Sequence, residues 1–421
     1  RRAAAREAAG DVDGALADLR RAADLDADAL EPRLALARLR TARGEHALAR
    51  RAADEALALR RDDLEALELR AWAGAWLQDH AGALADAERV LAVDPDRGRP
   101  HVIRALAMIA RHDDQAASRA LARALELGVE GPEVQGVLAV MHVRAGDVGA
   151  AARAVDQASS RWPDHPGTLR ARAMLLLAQG APGAALEVVD QALAREPGSA
   201  ASHLGRSSAL LLLERYDDAL DACTAALQAG AQTGEVMLQR SVIYLDAGLL
   251  EAAAAAAGEA KRLIASPIAY SVASRVLRLR GLMPEAQAEL DEAVRKHPGA
   301  LPLRSERAGL RLQRGDVAGA IEDLEHAARL APKRADVWLD LGRLRRGQGA
   351  FAEAARDLSR AVELTPGDGL PWALRGLVRL RLGEVDAARA DLRRALELLP
   401  PDHAAAREAR AALEGARAID R

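Results

Sequence analysis

The sequence repeats itself with a period of 34 residues, and that period limits the fold more than any other feature. Gly281, Gly315, Gly349 and Gly383 stand 34 apart. Ala286, Ala320, Ala354 and Ala388 follow them by five residues, and Ala293, Ala327, Ala361 and Ala395 lie seven further on. Pro298, Pro332, Pro366 and Pro400 close the units. Upstream, Gly44, Gly146, Gly180 and Gly248 hold the glycine slot, and Ala83, Ala117, Ala151, Ala185, Ala219 and Ala253 the first alanine slot. Pro95, Pro163 and Pro197 close earlier units. The frame divides the chain into a partial unit 1–29, units 30–63, 64–97 and so on to 369–402, and a tail 403–421.

Each slot has a physical reason. Apolar residues at i, i+3, i+4 and i+7 give each half-unit one buried helical stripe. The central glycine ends the first helix in a left-handed conformation, which costs glycine little. Small residues such as Gly342 and Ala354 let the two helices of a unit approach closely. The closing proline cannot continue a helix. Composition agrees: half the residues are apolar, yet only 2% are aromatic. Alanine, the strongest helix former, takes their place.

The spacing resembles the tetratricopeptide repeat. Unit 335–368 carries it on Trp338, Leu341, Gly342, Gly349, Ala354, Leu358, Ala361 and Pro366. Unit 369–402 carries it on Trp372, Gly376, Gly383, Ala388, Leu392, Ala395 and Pro400. The resemblance implies an all-α, right-handed superhelical solenoid of about twelve antiparallel helix pairs, with first helices lining a concave groove. The tail 403–421 is expected to form a capping helix on an array covering 1–402. Trp338 is expected to be buried between helices.

Departures from the frame mark expected irregularities. Gln78, His112 and Glu214 replace the central glycine. Unit 234–266 is one residue short, with Ala257 where a large residue is expected and Gly258 inside a helix. A weak joint is expected near Ser266. Arg70, Arg104, Arg172, Arg206, Arg240, Arg307 and Arg375 recur beside the small first-helix residue, with Asp323 and Asp391 placed to pair within their own repeats.

No catalytic, nucleotide-binding or metal-ligating motif is found, so neither enzyme chemistry nor a cofactor is expected. The acidic run at 24–31 lacks the glycine and terminal glutamate of a calcium loop. Cys223 occupies the slot of Leu358 and Leu392, which implies a small buried apolar role. A net charge of −3 gives no support for a nucleic-acid partner. No apolar run reaches membrane-spanning length, so no insertion is expected. The arginine-rich, asparagine-free composition points to a GC-rich bacterial genome. The lone cysteine fits cytoplasm or periplasm, with cytoplasm favoured. The chain starts inside a repeat and without Met, which implies an N-terminus further upstream.

In repeats of this type the groove is lined by fixed positions of each unit. Between 98 and 233 those positions hold few charges: Arg99, Glu133, Arg144 and Arg170. An apolar partner-binding stretch is expected at Trp72, Trp76, Val102, Leu106, Ile109, Val137, Val140, Met174, Leu177, Leu204 and Leu211. A polar end is expected at Arg275, Arg278, Arg343, Arg346 and Arg381. Known grooves of this family that clamp a carboxylate with Lys and Asn, or fix a peptide with an Asn ladder, have no counterpart here, because the chain has no Asn. The expected function is a non-catalytic scaffold whose groove takes an amphipathic helix, an extended apolar peptide or a second copy of the chain. Two alternatives are a regulatory region of a larger kinase or protease, and an assembly factor in envelope or exopolysaccharide export.

Overall fold

The computed structural model describes residues 2–43, 45–77, 79–110 and 113–418. All regular elements among them are α-helices, and they fall into two compact units, Arg1–Val272 and Ala273–Arg421. The first unit begins with α1 (Arg2–Ala8), α2 (Val12–Leu25), α3 (Leu30–Ala42), α4 (His46–Leu59), α5 (Leu64–Trp76), α6 (His80–Val93), α7 (Gly98–Ala110) and α8 (Asp114–Glu126). It continues through α9 (Pro132–Arg144), α10 (Val148–Arg161), α11 (Pro166–Ala178), α12 (Pro182–Arg195), α13 (Ala200–Leu212), α14 (Tyr216–Gln228), α15 (Thr233–Asp246) and α16 (Leu250–Ile264). The division falls inside α17 (Pro267–Leu279). The second unit then holds α18 (Met283–Lys296), α19 (Leu301–Gln313), α20 (Val317–Leu330), α21 (Ala335–Gly347), α22 (Phe351–Leu364), α23 (Gly369–Arg381), α24 (Val385–Leu398) and α25 (Ala404–Ala418).

The central turns use the expected left-handed residue. Gly146, Gly180, Gly248, Gly281, Gly315, Gly349 and Gly383 have φ between +74° and +80°. At Gly146 the amide donates to the Val143 carbonyl at 3.0 Å and the Asp147 amide to His142 at 2.9 Å, which satisfies the last carbonyls of the helix. Glu214 makes the same two-bond turn with φ +59°, so this side chain accepts a conformation that disfavours a Cβ. Gly44, Gln78 and His112 lie outside the described residues. An aspartate often follows the central turn residue and caps the second helix: Asp11, Asp79, Asp147 and Asp316 accept from backbone amides three residues on.

Two of the closing turns that lack proline use glycine instead: Gly128 and Gly230 end α8 and α14 with φ of +74° and +92°. The short unit 234–266 closes differently. Only residues 265–266 separate α16 from α17, and Ala265 turns left-handed with φ +41°. Residues 196–199 and 297–300 make the corresponding links elsewhere. The missing residue therefore appears as backbone strain at Ala265.

Helices within a pair meet through a contact spanning sixteen positions. A Cβ on Gly342 would fall 2.5 Å from Leu358 Cγ, and one on Gly376 2.7 Å from Leu392 Cγ. Both leucines are fully buried. Cys223 fills this slot, 3.2 Å from the Ser207 hydroxyl, and burial pushes its thiol pKa up. By the same offset Ser241 stands opposite Ala257; both are buried, and the Ser241 hydroxyl has no hydrogen-bond partner. Two small side chains therefore meet here where Gly342 and Gly376 face leucines.

The arginine ladder does more than pair within a repeat. Arg307 holds Asp323 of its own second helix at 2.8 Å and Asp291 of the preceding repeat at 2.9 Å. Arg70 joins Asp86 at 2.6 Å and Asp54 at 3.2 Å, and Arg375 joins Asp391 at 2.7 Å and Ser359 at 3.2 Å. Arg104 and Arg206 reach back to Glu88 and Asp190, both at 2.9 Å. Arg240 likewise reaches Thr224, whereas Arg172 is exposed.

Trp338 corrects an expectation. It is only partly buried, and its indole donates to the Pro332 carbonyl at 3.1 Å; Trp372 does the same to Pro366 at 3.2 Å. His101 and His203 meet the carbonyls of Pro95 and Pro197 at 3.0 and 2.9 Å from the same slot. That slot braces the closing turn, while Val337 and Leu341 fill the core. At the C-terminal end α25 buries Ala405, Ala406 and Ala409.

Two stability outcomes follow from this packing. Glu214→Gly and Ala265→Gly remove the left-handed strain, and each should stabilise its neighbourhood by about 1 kcal/mol, seen as slower local hydrogen exchange. Slower exchange at neither site would refute the strain. Ala354→Leu should cost about 1–3 kcal/mol through overpacking, measured by urea unfolding; a neutral result would contradict the close approach of α21 and α22.

Candidate partner-docking site

The first compact unit contains an apolar cleft of about 300 Å³. It is built from the ends and inner faces of α5, α7, α9, α11 and α13. Leu106, Val137, Val140, Met174 and Leu177 supply its walls, and Trp76 with Glu133 and Arg170 stands at one end. Gly136, Gly167 and Gly205 also line it. Ser202 and Ser208 are the hydroxyls that line it.

Beyond Trp76 lies a second, polar cavity of about 520 Å³, which shares Trp76, Glu133 and Arg170 with the cleft. Here residues distant in sequence converge. His46, at the start of α4, stacks on Trp76 with centroids 5.8 Å apart and rings inclined by 21°. Trp76 meets Trp72 edge-on at 6.0 Å. Arg170 lies over the Trp76 ring at 5.3 Å and binds Glu196 at 2.7 Å. Glu196 in turn sits 3.8 Å from the His46 ring, and Arg99 covers Trp72 at 5.1 Å. Burial pushes the His46 imidazole down to about 4, against the smaller pull of Glu196. His165 is also lowered by burial, although Glu133 lies 3.6 Å away. His46 Nδ1 and Trp76 Nε1 are buried without hydrogen-bond partners.

The structure sorts the expected groove residues. Trp76, Leu106, Val137, Val140, Met174 and Leu177 come together in the cleft, and Trp72 lines the polar cavity. Val102 is fully buried and Leu211 is 9% exposed, so both serve the core and offer no surface to a partner. Close packing of successive first helices has turned these two positions inward. Ile109 and Leu204 are half-buried against neighbouring cores and do not line the cleft. In the second unit, Arg275 and Arg343 are exposed and Arg278 is half-buried. Arg346 pairs with Glu408 of α25 at 3.3 Å, and Arg381 lies over Phe351 at 5.2 Å.

His46, His165 and Glu196 were not expected in a site. They sit at helix starts and a closing turn, outside the groove positions of the first helices. No signal in one repeat marks them, since they meet through the path of several repeats.

Comparison with known proteins bears on the family. The tetratricopeptide-repeat profile matches residues 170–233 and 273–333, and a second profile of the same description matches 311–378. No curated protein matches the chain. The crystal structure of yeast Tom70 is similar with a TM-score of 0.47 and 16% identity, covering 100% of this chain and 95% of that one. The structure of a thermophilic TPR protein of Thermus thermophilus gives 0.41 and 24%, covering 43% of this chain and all of the other. Repeats of this family mediate protein interactions and are generally non-catalytic. The profile matches fall in both compact units, so over residues 170–233 and 273–378 the chain carries tetratricopeptide repeats, a family whose repeats mediate protein–protein interactions.

Proposed function

We propose that the cleft of the first compact unit docks an apolar segment of a partner protein, presented as an amphipathic helix or an extended strand. One observation carries this reading: Leu106, Val140, Met174 and Leu177 are left half-buried around an open volume of about 300 Å³. A soluble chain gains by covering such a surface. Aliphatic walls beside an indole suit large apolar anchors, which supply most of the binding energy at small interfaces. The polar groups at the ends suit the partner's backbone where it leaves the cleft.

Selection of a random peptide library on the intact chain tests the reading. Enriched peptides should carry two or more large apolar residues at helical or alternating spacing. Leu106→Glu combined with Val140→Glu should weaken their binding at least about tenfold by burying charge against them, with circular dichroism unchanged. Enrichment without apolar anchors, or binding that survives the double change, would refute it. Light scattering separates out self-association: a dimer abolished by the same double change would make a second copy the occupant.

A further inference from the structure

Every strong contact of the repeat frame joins a helix to a near neighbour in sequence. The meeting of the adjacent His46 and Trp76 with Arg170 and Glu196 does not. It ties the beginning of α4 to the end of α12 across the mouth of the polar cavity, and its Trp76 and Arg170 also bound the apolar cleft. We propose that His46, Trp76, Arg170 and Glu196 form a clasp that closes the groove of the first compact unit, and that the clasp parts on acidification to widen access to the cleft. The consequence for docking rests on the function proposed above; the clasp itself does not.

The argument starts from what holds the clasp. Its contacts are a ring stack, a cation–π contact and one good ion pair, each modest alone. No aliphatic plug is involved, so separation exposes little apolar surface. Two ring nitrogens, His46 Nδ1 and Trp76 Nε1, are unsatisfied in the closed form and would gain water on opening. Closed and open forms are therefore balanced closely enough for one proton to decide between them.

His46 is the group placed to do so. Arg43 and Glu45 flank it on its own turn. The same cavity brings Arg38 from α3, Arg99 from α7, Glu130 and Glu133 at the start of α9, His165 and Arg170 at the start of α11, and Arg195 and Glu196 at the end of α12. The carboxylates are already engaged: Glu45 with Arg43, Glu130 with Arg161, Glu133 with His165, and Glu196 with Arg170. A charged imidazole thus finds five arginines against four carboxylates that already have partners. Burial makes the closed form protonate near 4, whereas an imidazole released to solvent protonates near its ordinary value, about 6.5. The open form therefore binds the proton more tightly. Lowering the pH from about 7.5 to about 4.5 shifts the balance toward it by up to about a hundredfold.

The test needs no partner. Spin labels at Arg51→Cys on α4 and Gln191→Cys on α12, both exposed sites, in a Cys223→Ala background, report the distance across the clasp by double electron–electron resonance. One distance population is expected at about pH 7.5, and a longer one should grow in at about pH 4.5. His46→Phe keeps a ring to stack but carries no proton, and should stay closed at both values. Trp76→Leu should already show the longer distance at neutral pH. Identical distributions in the wild-type chain at both values, with helical content intact, would overturn the clasp as an acid switch. So would an acid-induced longer distance that persists in His46→Phe. Either failure leaves the docking reading standing, because that reading is scored separately by peptide selection and the Leu106→Glu, Val140→Glu change.

Discussion

The approach of a glycine, serine or alanine on each first helix to the side chain sixteen positions later sets the geometry from which the rest follows. At Gly342 and Gly376 even a methyl group would collide with the facing leucine. Such closeness fixes the distance between the helices of a pair. It also lets an arginine beside the small residue reach its own second helix and the one before it. Arg70 and Arg307 each join two acids on different repeats in this way. Alanine-rich interfaces bury little area per residue, so a guanidinium held at both ends supplies specificity that aromatic bulk supplies elsewhere.

Much of this was legible in the sequence. The period, the left-handed glycines and the strained exception at Glu214 could be read from single slots, because each reflects backbone geometry local to one turn. The missing residue before Pro267 was legible as a count, and it is visible as left-handed Ala265. Trp338 was misread for a physical reason. A large residue in a repeated slot signals packing, but an indole can pack on its face and still spend its N–H on a turn carbonyl, as it does with Pro332. Glycine replacing proline at Gly128 and Gly230 was equally open to reading: both stop a helix, one by its ring and the other by its freedom.

The site was legible in part. The cleft residues occupy positions that any repeat of this kind turns inward, so the frame alone brings Leu106, Val140 and Met174 to one surface. Whether a position is open or sealed depends on its neighbours' size. Val102 and Leu211 occupy similar positions, yet they are sealed, whereas glycines at 136, 167 and 205 line the open cleft. His46 and Glu196 lie beyond that logic altogether. Their meeting depends on the summed turn of several repeats, a quantity no single unit encodes.

That meeting also orders the assembly of the chain during synthesis. The sixteen-residue contacts and the arginine ladder connect segments made within moments of each other, so a repeat can consolidate once its successor has emerged, as low contact order favours. The ring of His46 has to wait. Its partners at 170 and 196 emerge several repeats later, and until then Trp76 lacks the guanidinium that covers its face. A ribosome-bound chain paused before those repeats therefore carries an uncovered indole at Trp76 while Met174 and Leu177, which complete the cleft, are still to be made.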